Sequence, residues 1–232
     1  MGCDGSFSKV RENLGLGFKG KIYEDRFLLV SSNLNLKPFF PEMGTTAYVF
    51  DPEEWVIVMT LPDAVRTVFR LKPGEDAEFA KEEENVRQRL RNFLEADVNY
   101  SINTISTYFV HQRVTETFRV GRVLLAGDAA HLNNPTGGMG MNSGIHDARD
   151  LSEALIKVLS GESDNLLDEY AENRHKAATE MVQATADKNY SDLSQSEESE
   201  RIKRNNEMRD AAQNEKKARA FLLKTAMLAD RI

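Results

Sequence analysis

The sequence predicts a mixed α/β fold in which a strand-rich region is followed by long helices. Between residues 21 and 114, short segments rich in β-branched and aromatic residues alternate with Pro, Gly and Asp turn signals, which is typical of an antiparallel meander. Residues 123–126, Val-Leu-Leu-Ala, form a short apolar run between two glycines, which indicates a buried strand of the kind found in parallel sheets. From residue 142 onward the apolar residues follow helical spacing.

The N-terminal end predicts a turn and a short helix, for which Ser6 or Ser8 is the expected cap. Residues 15–20 match the G-x-G-x-x-G spacing of a dinucleotide-binding loop. That loop must follow a strand and open a helix, because the helix N-terminus holds the pyrophosphate. Here the predicted helix comes first and a strand follows, so we interpret these glycines as a turn.

The strand-rich region divides at its turn signals. One helix interrupts it at residues 76–96, where Phe79, Val86, Leu90 and Phe93 recur at helical spacing. The predicted extended segments cover residues 22–30, 45–50, 55–59, 65–71 and 101–114.

The last part of the chain predicts a Gly-rich loop and three helices. The loop covers residues 133–140, and the helical patterns cover residues 142–159, 166–190 and 197–228. Residues 194–217 are half charged and hold few large apolar residues. This pattern favours a solvated helix or a frayed end over a binding surface.

Composition restricts the class of protein. The 232 residues predict one or two domains at roughly 150 residues each. The net charge of -7 argues against a general nucleic-acid binder, and no apolar run approaches the ~18 residues of a membrane span. Cys3 is the one cysteine, which excludes an internal disulfide and fits a reducing compartment. The first residues lack the pattern of a signal peptide, so we expect a soluble, cytoplasmic protein.

The turn after the apolar run has the chemistry of a ligand site. A buried strand delivers Asp128 to a sheet edge, where a carboxylate can accept hydrogen bonds from sugar-like hydroxyls. Glycines at 137, 138 and 140 allow a flat ligand to approach the backbone, and a helix starting near Met141 directs free N–H groups at it. The alternative is a plain strand-to-helix turn with Asp128 as a helix cap.

Two stretches resemble one family, the class A FAD-dependent aromatic monooxygenases, which are similar to p-hydroxybenzoate hydroxylase. Residues 127–131 read G-D-A-A-H, Pro135 follows, residues 137–142 read G-G-M-G-M-N, and Asp147-Ala148 lies in the next helix, as in the family's second FAD motif. Residues 166–170 with Arg174 resemble the helix that comes next. Residues 2–11, with Gly2-Cys3-Asp4-Gly5, Ser8 and Val10-Arg11, resemble the family's first flavin motif.

The resemblance implies FAD as cofactor, NAD(P)H as reductant and hydroxylation of an aromatic small molecule with O2. It places Asp128 at the ribityl chain and Pro135 at the flavin face where oxygen reacts. Asp4 and Gly5 would lie near the pyrophosphate and ribityl region, and Arg11 would brace this loop or contact the reductant. The backbone N–H groups of Gly140, Met141 and Asn142 would face the flavin pyrimidine edge, and the implied site also includes Gly127, Gly137 and Gly138.

The family begins with a βαβ unit that binds the ADP half of FAD, whereas this chain begins directly at the flavin motif of residues 2–11. We therefore expect a C-terminal portion that binds FAD weakly or not at all when isolated and is inactive alone. The implied domains are residues 1–20 and 115–190 for a partial FAD-binding domain, residues 21–114 for a β-rich substrate domain and residues 191–232 for C-terminal helices. Two alternatives are a non-catalytic remnant or subunit that completes a flavin site with another chain, and a flavin reductase that inserts no oxygen.

The histidines and the aromatic residues of the strands give weaker signals. The histidines show no metal-ligand spacing, so we predict no metal, and His131 is expected to pack in its loop and not to act as a base. Alternating aromatic residues on strands are more often core than pocket. The possible pocket residues are Tyr48, Trp55, Tyr108, Phe109 and Arg113.

Overall fold

The structure is a computed structural model that describes residues 1–51, 54–133, 138–183, 188, 191–192, 195 and 197–228. Helices and strands are mixed along the chain, as predicted. In the part of the chain that is described, no helix is long and apolar enough to span a bilayer.

The chain divides into two compact units. Unit 1 comprises Met1–Ile22, His111–Ser191 and Ser199–Ile232, and unit 2 comprises Tyr23–Val110 and Asp192–Glu198. The chain leaves unit 1 within strand β1 (Phe18–Ser32) and returns within strand β5 (Ile102–Thr115).

Unit 2 contains the antiparallel meander that the sequence predicts. Strands β2 (Thr46–Val49), β3 (Val56–Thr60) and β4 (Val65–Arg70) pair in sequence order, and β4 then pairs with β1. All three pairings are antiparallel. Alternating residues of these strands, among them Leu28, Val30, Val58 and Phe69, are buried in one apolar core with Val86 and Leu90.

The single helix predicted for residues 76–96 is wrong, because the chain forms two helices there. Helix α2 (Ala77–Lys81) is capped by Asp76, and helix α3 (Glu83–Leu94) follows after Glu82, whose ψ of 131° is extended. Asn85 Nδ2 donates to Phe79 O at 2.8 Å and so satisfies a carbonyl that a continuous helix would have used.

Unit 1 begins with helix α1 (Lys9–Asn13), and β1 follows it, so residues 15–20 do not open a helix, as predicted. The predicted turn is too long, because residues 18–20 already belong to β1. Strand β7 (Val123–Leu124) pairs antiparallel with β6 (Arg119–Val120). The prediction of a four-residue parallel strand is wrong in its extent. Residues 124–126 are buried as predicted, but the parallel pairing is one bridge between Gly2 and Leu125.

Two long helices cover the buried segment at residues 124–126. Strand β8 (His131–Leu132) pairs with β5 and leads toward helix α4 (Met139–Leu159). Helix α5 (Asn165–Lys176) continues as a π-helical segment, Ala177–Gln183. Leu125, Leu151, Leu167 and Tyr170 lie in the core of this unit.

The predicted helix at residues 197–228 is also two helices, α6 (Glu198–Gln213) and α7 (Glu215–Thr225). Asn214 is extended between them, and its side chain accepts the N–H of Lys217 at 3.1 Å, which caps a new helix. No residue of α6 is buried, which confirms the solvated helix expected there.

Candidate active site

The first flavin-like loop is built around the Asp4 carboxylate. Ser8 donates its hydroxyl to Asp4 Oδ1 at 2.5 Å, and the Lys9 N–H donates to Asp4 Oδ2 at 2.8 Å. The Ser8 hydrogen bond is the main reason that the pKa of Asp4 is lowered. Ser8 in turn accepts the Arg11 N–H at 3.0 Å, so Ser8 is the helix cap that the sequence predicts. Asp4 and Ser8 together fix the start of α1.

Arg11 joins this loop to the turn at residues 127–131. Its Nη1 donates to Ala129 O at 2.8 Å and its Nη2 donates to Ser6 O at 2.9 Å. The guanidinium also lies 3.7 Å from the centre of the Phe18 ring, and the residue is only 9% exposed. In this arrangement Arg11 braces two loops, which is one of the two roles that the resemblance implies for it.

Asp128 projects from a tight turn. Gly127 has a φ of 61°, and Gly127–Ala129 form one turn of 3-10 helix. Asp128 is exposed, and no described residue forms a hydrogen bond or ion pair with its carboxylate. The turn has no side-chain cap hydrogen bond, so the structure gives no support to the alternative in which Asp128 is a helix cap. Its carboxylate is available to a ligand.

The start of α4 presents free backbone N–H groups. Gly138 precedes the helix with a φ of 65° and makes no side-chain cap, and the first N–H groups of a helix have no partner within it. Met141 is 75% exposed, and Asn142 Nδ2 donates to Gly138 O at 3.3 Å. Pro135 and Gly137 lie outside the described residues.

Gly140 provides a test of whether these residues fit a flavin. Its φ is not in the left-handed region, and a Cβ placed on it would meet no described atom within 4 Å. Neither its conformation nor the packing of the described residues therefore explains a glycine here. A planar group lying close to the backbone would explain it. The free N–H groups at the start of α4 and the exposed Asp128 carboxylate lie in the same stretch of the chain as Gly140. Together these groups have the hydrogen-bonding chemistry and the open backbone that FAD requires.

Sequence reasoning gave no site role to a buried carboxylate beneath the turn, although its residue, Asp147, stands in the second FAD motif. Asp147, on α4, is fully buried, and its Oδ2 accepts the Gly127 N–H at 2.8 Å. The same oxygen is 2.7 Å from His131 Nε2, while Arg174 Nε donates to Oδ1 at 2.6 Å. Phe118 stacks on the His131 ring at 5.8 Å between centroids. His131 is thus a packed residue, as expected, but it also belongs to this polar network.

The electrostatics of the network favour an ionised Asp147. Burial by itself raises the pKa of this carboxyl, but the hydrogen bonds and charges of His131 and Arg174 outweigh burial and hold the pKa below its ordinary value. One signal in the sequence could have found the group. Ser143, Asp147, Leu151 and Ala154 recur at helical spacing on the buried face of α4, and a carboxylate on such a face requires a partner.

Two of the weaker aromatic candidates, Trp55 and Tyr108, pack on Phe27. Trp55 is fully buried with its ring 5.3 Å from that of Phe27, and Tyr108 stacks on Phe27 at 5.7 Å. Burial raises the pKa of Tyr108 to about 12. Phe109 is 48% exposed, with the Arg26 guanidinium 5.0 Å from its ring centre.

Comparison with known proteins identifies the family. Residues 1–185 match the model of the FAD binding domain. The chain is 35% identical over 226 residues to para-nitrophenol 4-monooxygenase of Pseudomonas sp. strain WBC-3, covering 95% of this chain and 55% of that protein. It is 34% identical over 187 residues to 3-(3-hydroxy-phenyl)propionate/3-hydroxycinnamic acid hydroxylase of Escherichia coli. That match covers 78% of this chain and 32% of the hydroxylase.

Solved structures agree with these sequence matches. The p-nitrophenol 4-monooxygenase from Pseudomonas putida DLL-E4 superposes with a TM-score of 0.87 at 32% identity, covering 99% of this chain and 58% of that one. Aklavinone-11 hydroxylase, solved with FAD and aklavinone, gives 0.72 at 33% identity, covering 82% and 36%. The chain spans 55% and 32% of the length of the two curated relatives and 58% of the solved p-nitrophenol 4-monooxygenase. It belongs to the FAD-binding family of class A flavoprotein aromatic monooxygenases, whose cofactor is FAD and whose typical reductant is NAD(P)H.

Proposed function

We propose that this chain supplies flavin-holding residues and the substrate unit of an FAD-dependent monooxygenase that hydroxylates an aromatic or phenolic small molecule with NAD(P)H and O2. The observation that carries the proposal is the pair of hydrogen bonds from Arg11. They join the first flavin-like motif to the second, across 118 residues of sequence, as a flavin site built from both motifs requires. Relatives that are named for aromatic hydroxylation support the reaction class.

The residues of this chain would hold and orient the cofactor. The exposed Asp128 carboxylate would accept hydrogen bonds from the ribityl hydroxyls. The N–H groups at the start of α4 would face the flavin pyrimidine edge, where the positive end of the helix favours negative charge on the ring. Bound FAD supplies the transfer of electrons from NAD(P)H and the activation of O2.

The test is a flavin titration of the purified chain, followed by turnover with candidate phenols. FAD is added up to millimolar concentration, so that a weak complex is also measured by quenching of flavin fluorescence. NAD(P)H oxidation is then followed with 4-nitrophenol and with 3-(3-hydroxyphenyl)propionate, the substrates suggested by the relatives' names. We expect weak FAD binding and little turnover from the chain alone. When a relative's dinucleotide-binding unit is joined to it, we expect tight FAD binding and a product that carries one oxygen atom from isotopically labelled O2.

Other outcomes separate the alternatives. NAD(P)H oxidation with no labelled oxygen in any product would favour a flavin reductase. FAD binding that requires a second chain would favour a subunit that completes a shared site. A chain that takes up no FAD under any of these conditions contradicts the proposal.

A further inference from the structure

A buried carboxylate holds the turn that carries Asp128. The Gly127 N–H donates to Asp147 Oδ2 at 2.8 Å, and Gly127 immediately precedes Asp128 in the chain. Because Gly127 has a φ of 61°, the peptide that leads into Asp128 takes a direction that residues other than glycine rarely allow. The hydrogen bond to Asp147 fixes that direction from inside the unit.

The Asp147 carboxylate is itself held at both oxygens. His131 lies against Oδ2 at 2.7 Å, and Arg174 donates to Oδ1 at 2.6 Å. Arg174 also donates to Ser143 Oγ at 3.0 Å, and Asn133 Nδ2 is 3.2 Å from His131 Nδ1. Because an ionised carboxylate only accepts hydrogen bonds, His131 Nε2 carries a proton and donates it to Asp147. The carboxylate therefore has one orientation, with one lone pair directed at Gly127.

A buried ion pair adds little stability relative to a well-packed apolar core, so stability alone does not explain this arrangement. A fully satisfied polar network does specify a single geometry. We propose that Asp147 is a positioning residue for the flavin, which acts through the Gly127 N–H to preset the turn that presents Asp128 to the ribityl hydroxyls. This inference rests on the proposed function.

The decisive measurement combines one amide signal with FAD affinity. The sequence contains one Ala-Gly dipeptide, Ala126-Gly127, so alanine labelled at its carbonyl carbon and glycine labelled at nitrogen give a single NMR signal for the Gly127 N–H. In the wild-type chain we expect this N–H to exchange slowly with solvent.

In Asp147→Asn the single side-chain oxygen cannot accept hydrogen bonds from Gly127, His131 and Arg174 at once. We therefore expect the signal to move, exchange to accelerate and the FAD dissociation constant to rise about tenfold.

A matched control separates positioning from stability. Leu151→Ala removes a buried side chain one turn further along α4 and leaves the Asp147 contacts intact. When both chains are measured under conditions in which they are equally folded, Leu151→Ala should leave the Gly127 signal in place. Its FAD affinity should stay within about twofold of wild type. Equal losses of affinity in Asp147→Asn and Leu151→Ala would overturn the inference, as would unchanged affinity in Asp147→Asn or fast exchange of Gly127 in the wild type.

A second pair of variants answers the question if Asp147→Asn does not fold. His131→Gln keeps an N–H that can donate to Asp147, whereas His131→Leu removes it. We expect FAD affinity to be retained in the first and lost by about tenfold in the second. Equal affinity in both would overturn the inference. Failure of the proposed function has a different signature, because the wild-type chain would then take up no FAD.

Discussion

Arg11 Nη1 donates a hydrogen bond to Ala129 O at 2.8 Å, and Ala129 is fully buried in the turn that carries Asp128. The other end of the guanidinium donates to Ser6 O in the first loop. A planar group with fixed donors is suited to holding two carbonyls in a fixed relation, and a lysine ammonium is not. The two flavin motifs are therefore joined by one side chain inside unit 1.

Removing that side chain should cost stability in unit 1. In Arg11→Met the carbonyls of Ala129 and Ser6 lose their donor while an apolar stem remains to contact Phe18. We expect the free energy of unfolding to fall by about 3 kcal/mol, because hydrogen bonds to charged groups contribute roughly 1.5–3 kcal/mol each and the two bonds share one group. Urea unfolding followed by far-UV circular dichroism checks this, since most of the helices lie in unit 1.

The control for Arg11→Met is Arg122→Met, which removes an exposed guanidinium from the same unit. Its effect should stay within about 0.5 kcal/mol, as for most surface changes. Arg11→Lys should recover part of the loss, because one ammonium can reach one carbonyl but not hold both. A full recovery with lysine would contradict the bridging role.

Asp128→Ala should separate binding from stability. The carboxylate is exposed and has no partner among the described residues, so its removal should change the free energy of unfolding by less than about 0.5 kcal/mol. If the carboxylate accepts hydrogen bonds from FAD, the dissociation constant should rise by about one to two orders of magnitude. Flavin titration and thermal unfolding of the same variant measure both quantities.

Asp128→Asn is the informative companion, because it keeps an acceptor oxygen without the charge. Its affinity should lie between those of wild type and Asp128→Ala. A variant with normal FAD affinity and lowered stability would show that Asp128 acts as a structural residue of the turn.

The strands of unit 2 were predictable because each carries its own pattern of β-branched and aromatic residues between turn signals. The helix breaks at Glu82 and Asn214 were not, since each depends on a side-chain amide that bonds to one particular backbone group. Periodicity does not detect such a bond. Residue pattern alone therefore predicts one helix across each break.

The candidate site was predictable where it is local and not where it is assembled by packing. The motifs around Asp4 and Asp128 are contiguous in sequence, so their residue types were sufficient to single them out. The partners of Asp147 lie 16, 20 and 27 residues away from it along the chain. Only the packing of α4 and α5 brings those groups to one carboxylate, and no local pattern encodes that convergence.

The pH dependence of stability should report on Asp147. Its pKa is lower in the folded chain than the ordinary value of 3.8, so the folded state binds fewer protons than the unfolded state in that range. The contribution of the ionised group is therefore complete above the unfolded-state pKa and is lost as the pH falls through the folded-state pKa. We expect the stability difference between wild type and Asp147→Asn to be larger at about pH 5 than at about pH 3. A difference that is the same at both values would contradict an ionised Asp147 in the folded chain.

Unit 2 has its own partly buried ion network, which should affect stability without affecting flavin. The Arg89 guanidinium pairs with both Glu54 and Glu75, and the three side chains are 13%, 24% and 16% exposed. Arg89 also lies 5.8 Å from the centre of the Phe69 ring. Arg89→Met leaves two poorly hydrated carboxylates facing an apolar side chain. Breaking a buried pair by removing one partner costs roughly 3–5 kcal/mol. Because these three side chains are partly exposed, we expect the free energy of unfolding to fall by about 3 kcal/mol.

The single tryptophan of the chain makes the loss of stability in Arg89→Met measurable in unit 2. Trp55 is fully buried in unit 2, so its fluorescence reports the unfolding of that unit. Arg91→Met is the matched control on α3, because Arg91 pairs with an exposed carboxylate, Glu84, and such pairs contribute at most about 1 kcal/mol. We expect Arg89→Met to shift the Trp55 transition strongly, Arg91→Met to shift it little, and both to keep wild-type FAD affinity. An equal shift in the two variants would show that Arg89 contributes no more than a surface charge.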